Sequence, residues 1–111
     1  MPERWSAEAG ARDVAKLDIP ADALRERRFE ITVRLVVANP AGRDDASHGL
    51  RVLIDGALEW SRRVPTDPGA SDSLDWRVER AVPAGRPLRL SAAGELRGVR
   101  RVRLSIEAEE A

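Results

Sequence analysis

Apolar and polar side chains alternate along this chain in short runs, each ended by glycine, proline, aspartate or asparagine. The clearest run is Phe29 to Ala38. Phe29, Ile31, Val33, Leu35 and Val37 share one parity, and Glu30, Thr32 and Arg34 share the other. Successive side chains of a strand point to opposite faces, so this period of two predicts a half-buried strand. Val36 interrupts the polar face, and cover by a loop or a partner is expected there. In Val14 to Ile19, Ala15, Leu17 and Ile19 alternate with Lys16 and Asp18 until Pro20 ends the run. From Asp72, Leu74, Trp76 and Val78 alternate with Asp75, Arg77 and Glu79. Leu88 and Leu90 lead a further strand out of Arg86-Pro87, and Val102, Leu104 and Ile106 mark the last one, Val99 to Ala108. Ala21 to Arg28 has only Leu24 as a large apolar residue, which predicts a single helical turn or a loop.

The centre of the pattern is Leu50 to Val64, two apolar runs joined at Asp55-Gly56, a strong hairpin signal. A two-residue turn would place Val52 opposite Glu59 and mix apolar with charged residues on both faces. A three-residue loop, Ile54-Asp55-Gly56, shifts the register by one. It sets Val52 opposite Leu58, Leu50 opposite Trp60, and Arg51 opposite Glu59, which sorts the faces and is the preferred reading.

About seven short strands without a convincing helix predict an all-β fold, an antiparallel β-sandwich that is immunoglobulin-like or jelly-roll-like, with Greek-key order. Residues 1–13 read as an N-terminal arm anchored by Trp5, 14–108 as the single sandwich domain, and 109–111 as an acidic C-terminal tail. At 111 residues the chain suffices for one core and not for two.

Composition narrows the functions. The 42% hydrophobic and 34% charged residues describe a globular chain with a charged exterior. Acidic and basic residues number 19 each, so the basic excess that steers proteins to nucleic acid or anionic membranes is missing, and neither partner is expected. There is no cysteine, and the start lacks the apolar run of a signal peptide or membrane span, so a cytoplasmic protein is expected. Lys16 is the only lysine among many arginines, which suggests the GC-rich coding bias of a bacterial genome.

The densest cluster of reactive residue types is Arg43-Asp44-Asp45-Ala46-Ser47-His48-Gly49. Ser47 and His48 are adjacent, whereas catalytic triads are assembled from separated segments, and one histidine without cysteine or tyrosine is a thin catalytic inventory. No catalytic residue is assigned. Asp44, Asp45, His48, Asp67 and Asp72 lie in or beside the two long loops, 39–49 and 65–71, and are the ligand-binding candidates. Calcium, which takes six to eight oxygens, is the one cofactor such loops would admit, with Asp75 nearby; no other cofactor is expected. Trp60 and Trp76 share parity with aliphatic neighbours, which favours core packing over a sugar-stacking surface.

Arg34, Arg77, Arg89, Arg101 and Arg103 occupy polar faces together with Glu30, Asp75, Glu79 and Glu107, so cross-strand charge pairing is favoured over an anion-binding stripe. Trp5, Val36, Arg101 and Arg103 are the candidates for protein contact. The leading expectation is a non-catalytic interaction or accessory module that acts by protein–protein contact or self-association. The rival is a small-ligand or carbohydrate-binding sandwich that uses the two long loops, with calcium assisting.

Overall fold

The alternating run at Phe29 becomes β3 (Arg27–Asn39), in which Phe29, Ile31, Val33, Leu35 and Val37 are all fully buried. The computed structural model describes residues 2–111 and places seven more strands around it. They are β1 (Arg4–Glu8), β2 (Val14–Ile19), β4 (Ser47–Ile54), β5 (Ala57–Pro65), β6 (Gly69–Val82), β7 (Leu88–Arg97) and β8 (Arg100–Glu110). Among the described residues no helix is long and apolar enough to cross a membrane.

The first strand pairs antiparallel with the last, β1 with β8, and the pairing continues inward: β2 with β7, β3 with β6, β4 with β5. This is one long ribbon folded at the β4–β5 turn. Rolling it up adds the β3–β8 and β4–β7 pairs. Two four-stranded sheets result, ordered β1-β8-β3-β6 and β2-β7-β4-β5. The antiparallel sandwich is as expected, with the jelly-roll connectivity of eight strands in two Greek keys and not an immunoglobulin order.

The eighth strand lies in the stretch read as an arm. Arg4–Glu8 pairs with β8, and the half-buried Trp5 and Ala7 sit opposite Ala108 and Ile106. Two apolar side chains in five residues make too short an alternation to stand out. The acidic tail is likewise corrected, because Glu109 and Glu110 belong to β8.

The central hairpin also differs from its expected register. Asp55 and Gly56 both have positive φ, 51° and 82°, and Ile54 pairs with Ala57, so the turn has two residues of the primed kind whose twist suits a hairpin. The one-residue shift demanded by the faces comes further along, at a bulge between Val52 and Leu53. Beyond it Val52 meets Trp60, Arg51 meets Ser61 and Leu50 meets Arg62. Leu58, expected in the core, pairs with Leu53 before the bulge and is 53% exposed. The shift runs opposite to that of a three-residue loop: the extra residue is Glu59 of β5, and the expected pairs Val52–Leu58, Leu50–Trp60 and Arg51–Glu59 do not form.

Side chains close the sandwich along its β5–β6 margin and tie it at one end. Trp60 and Trp76, from the edge strands of opposite sheets, stack with centroids 6.2 Å apart and planes at 23°. The Arg80–Glu59 ion pair bridges the same margin. At the end where the chain begins, Glu3 reaches the buried Arg27 guanidinium at 3.0 Å, and Arg27 also donates to the Pro20 carbonyl at 2.8 Å. Arg25 bridges Glu3, at 3.0 Å, and Glu110. The Glu110 carboxyl is held below its ordinary 4.5, first by the Arg25 hydrogen bond and then by the Glu3 backbone N–H.

Three stability outcomes follow from these contacts. Gly56→Val forces a β-branched residue into left-handed backbone and should cost about 2 kcal/mol or more in urea unfolding. A double-mutant cycle on Trp60 and Trp76 should return a coupling of about 0.5–1.5 kcal/mol beyond the single losses. Because the Glu110 pKa is depressed in the folded state, its contribution is complete above about pH 4.5, the unfolded value, and is lost as pH falls through the folded value. Glu110→Gln should therefore lower stability at neutral pH and flatten the acid limb of a stability–pH curve.

Candidate functional site

Strand direction sorts the connections to two ends. At one end lie the connections 9–13, 40–46, 66–68 and 98–99; at the other lie both chain ends and the connections 20–26, 55–56 and 83–87. The two long loops named from the sequence share the first end. The Thr66 N–H donates to the Ala46 carbonyl at 3.0 Å, and Asn39 clasps Arg43 through two 3.1 Å hydrogen bonds.

The carboxylates at that end are mostly engaged. Asp45 accepts from Arg43 Nε and Nη2 at 3.0 and 2.9 Å, and the Arg43 hydrogen bond holds its pKa below 3.8. Asp72 accepts backbone N–H groups of Ser73, at 2.8 Å, and Asp67, at 3.2 Å. Asp44 lines a cavity of about 440 Å³ with Asp45, Arg63 and Arg97, while Asp67 is exposed. Among the described residues no group of three or more His, Cys, Asp or Glu side chains is placed to hold a metal.

His48 is fully buried on the inner face of β4, with Nδ1 2.6 Å from Thr66 Oγ1 and Nε2 without a partner. It is a core side chain, which corrects its place among the ligand-binding candidates. Ser47 precedes it in the same strand and so points to the opposite face.

The candidates for protein contact are occupied as well. Trp5 packs against the core and donates from Nε1 to Glu3 at 3.1 Å. Arg101 bonds the Gly10 and Arg12 carbonyls and pairs with Asp13 at 3.1 Å, so it anchors the β1–β2 connection. Arg103 pairs with Glu8 at 2.9 Å, and Val36, half-buried, lies between Arg103 and Ser73. The outer face of this sheet is laced by Arg34–Asp75 at 3.4 Å, Arg28–Glu79 at 3.9 Å, Arg4–Glu109 at 3.6 Å and Arg77–Glu30. Pairing is thus the role of the arginine stripe, apart from Arg89, which lies in the other sheet.

A larger cavity, about 630 Å³, opens at the opposite end between the β4–β5 turn and the β6–β7 connection. Arg80, Arg86, Arg89 and Asp55 line it. Its rim is tied down: the Asp55 N–H donates to the Arg89 carbonyl at 2.8 Å, and the Arg89 N–H donates to Asp55 Oδ1 at 3.0 Å. The Gly85 N–H donates to the Asp22 carbonyl at 2.7 Å. The Asp22 carboxyl sits below 3.8 chiefly because it accepts the Leu24 N–H. The one sign of this cavity in the amino-acid order is Arg86 between Pro83 and Pro87.

No family model matches the chain, and no curated protein matches it. Among solved structures, dimeric latent PorU from Porphyromonas gingivalis superposes with a TM-score of 0.65 at 12% identity, over 98% of this chain and 12% of that one. A family 35 carbohydrate-binding module from Clostridium thermocellum has a TM-score of 0.44 at 10% identity, over 95% of this chain and 90% of the module. A structure of infectious bursal disease virus, Gx strain, has a TM-score of 0.40 at 14% identity, over 99% of this chain and 36% of that one. The chain thus spans about an eighth of the PorU chain, and that likeness shows a shared β-sandwich fold.

Proposed function

We propose that this domain is a non-catalytic interaction module that meets another protein, or a second copy of itself, along the β5 edge. The observation that carries this reading is the exposure of β5. Of its nine residues only Trp60 and Val64 are half-buried, and Leu58 stands out beside Leu53. β5 is hydrogen-bonded to β4 alone, so its second row of backbone donors and acceptors is open to an added strand. Paired charges occur on β5, Glu59 and Arg63, as they do on the other sheet's edges, Asp75 and Arg77 on β6, Arg4 and Glu8 on β1, so the exposed Leu58 is what sets β5 apart from those two. The sole histidine sits in the core beside Thr66, which supports a binding role over acid–base chemistry.

Light scattering over a concentration series, with affinity capture on immobilised domain, tests the proposal. Leu58→Arg should shift self-association or partner capture by about 30-fold, the effect of losing about 2 kcal/mol at an interface centre. At this exposed position it should leave thermal stability nearly unchanged. A wild-type protein that stays monomeric and captures the same proteins as Leu58→Arg would overturn the reading.

A further inference from the structure

We propose that the cavity between the β4–β5 turn and the β6–β7 connection binds a small anionic ligand through the guanidiniums of Arg86 and Arg89. This goes beyond the β5 contact and does not depend on it.

Charge is the first argument. The chain has equal numbers of acidic and basic residues, and over the outer face of the β1-β8-β3-β6 sheet arginines meet carboxylates in ion pairs. The large cavity is bordered by arginines outside these pairs. Of its three arginines, Arg80 is answered by Glu59. Arg86 and Arg89 have no ion pair among the described residues. Asp18 stands opposite Arg89 in the β2–β7 ladder without closing on it, and Asp55 uses one carboxylate oxygen on the Arg89 backbone. Arg86 and Arg89 both border the cavity, and guanidinium is the group best shaped to hold carboxylate or phosphate oxygens.

Preorganisation is the second argument. Two reciprocal hydrogen bonds join Asp55 to Arg89, and Gly85 is held by Asp22. Pro83 and Pro87 restrict the connection that carries Arg86. A rim already ordered loses little entropy when a ligand arrives.

Size and lining define the ligand class. About 630 Å³ suits a small molecule, and the exposed Pro83 and Pro87 supply apolar surface above the buried Val82 and Leu88. The fitting ligand carries one or two negative charges on a carboxylate or phosphate group attached to a compact apolar body. Inorganic phosphate, phenyl phosphate and benzoate separate these features.

The experiment titrates each probe into the ¹⁵N-labelled full chain at low ionic strength and follows backbone amides. Saturable shifts are expected at Gly56, Arg86 and Arg89, with dissociation constants of roughly 0.1–1 mM for the aromatic probes. Inorganic phosphate should bind more weakly than phenyl phosphate. The tighter of benzoate and phenyl phosphate identifies the anionic group. Arg86→Ala with Arg89→Ala should weaken binding at least about tenfold, and single Arg86→Gln serves if the double variant loses its native spectrum. Arg100→Ala, which removes an exposed arginine at the opposite end of the sandwich, should change nothing. Shifts that never saturate, shifts spread over the whole surface, or equal weakening by Arg100→Ala would overturn the proposal.

Discussion

The side-chain parity of β3 is the constraint on which the rest of the structure depends. β3 lies between β6 and β8, so its inward residues must match both neighbours: Val33 faces Trp76 and Ile106, and Leu35 faces Leu74 and Leu104. A one-residue slip would turn Phe29, Ile31 and Val33 to solvent at about 1.5–3 kcal/mol each, far more than a surface ion pair returns. Irregularities are therefore pushed to the strand's end. The register shifts between Val36 and Val37 against β8, and the extra residue, Val102, is left 53% exposed. The same shift turns Arg101 toward the β1–β2 connection, where it binds Gly10 and Arg12.

Charge does two jobs around this core. On the outer face of the β3 sheet it is a cross-strand lattice whose members sit on adjacent strands, each pair contributing little by itself. At the chain termini it ties separated segments, with Glu3, Arg25, Arg27 and Glu110 drawing β1, β3 and β8 together. Arg27 is almost wholly buried there and lies 5.3 Å from the Phe29 ring centroid, so the pair with Glu3 is a shielded one. The turn-end cavity is bordered by two arginines outside both patterns, Arg86 and Arg89, beside the paired Arg80.

Local chemistry was legible where it repeats every second residue. The runs at Phe29, Val14 and Leu74 announced their buried faces, and the placing of Trp60 and Trp76 with the aliphatic residues anticipated their packing against the core. Arg27 was not legible, because nothing in Ala21 to Arg28 signals that a guanidinium will find Glu3, Pro20 and Phe29 in one place. The two long loops were found and do meet, yet Asp45 and Asp72 turned out to be held by Arg43 and by backbone N–H groups.

The amino-acid order alone determined seven of the eight strands, the face most of their residues take, Leu58 and Val102 excepted, and the antiparallel sandwich class, because alternation is imposed by the geometry of a single strand. It also required a one-residue shift in the central hairpin. Only the tertiary structure decided that the shift is a bulge beside Leu53, that β1 closes against β8, and that the strands roll into a jelly roll. It alone brought 55–56 beside 80–89 to shape an arginine-lined cavity. Those outcomes depend on contacts between segments far apart in the chain, whose relative energies exist only once the ribbon has folded on itself.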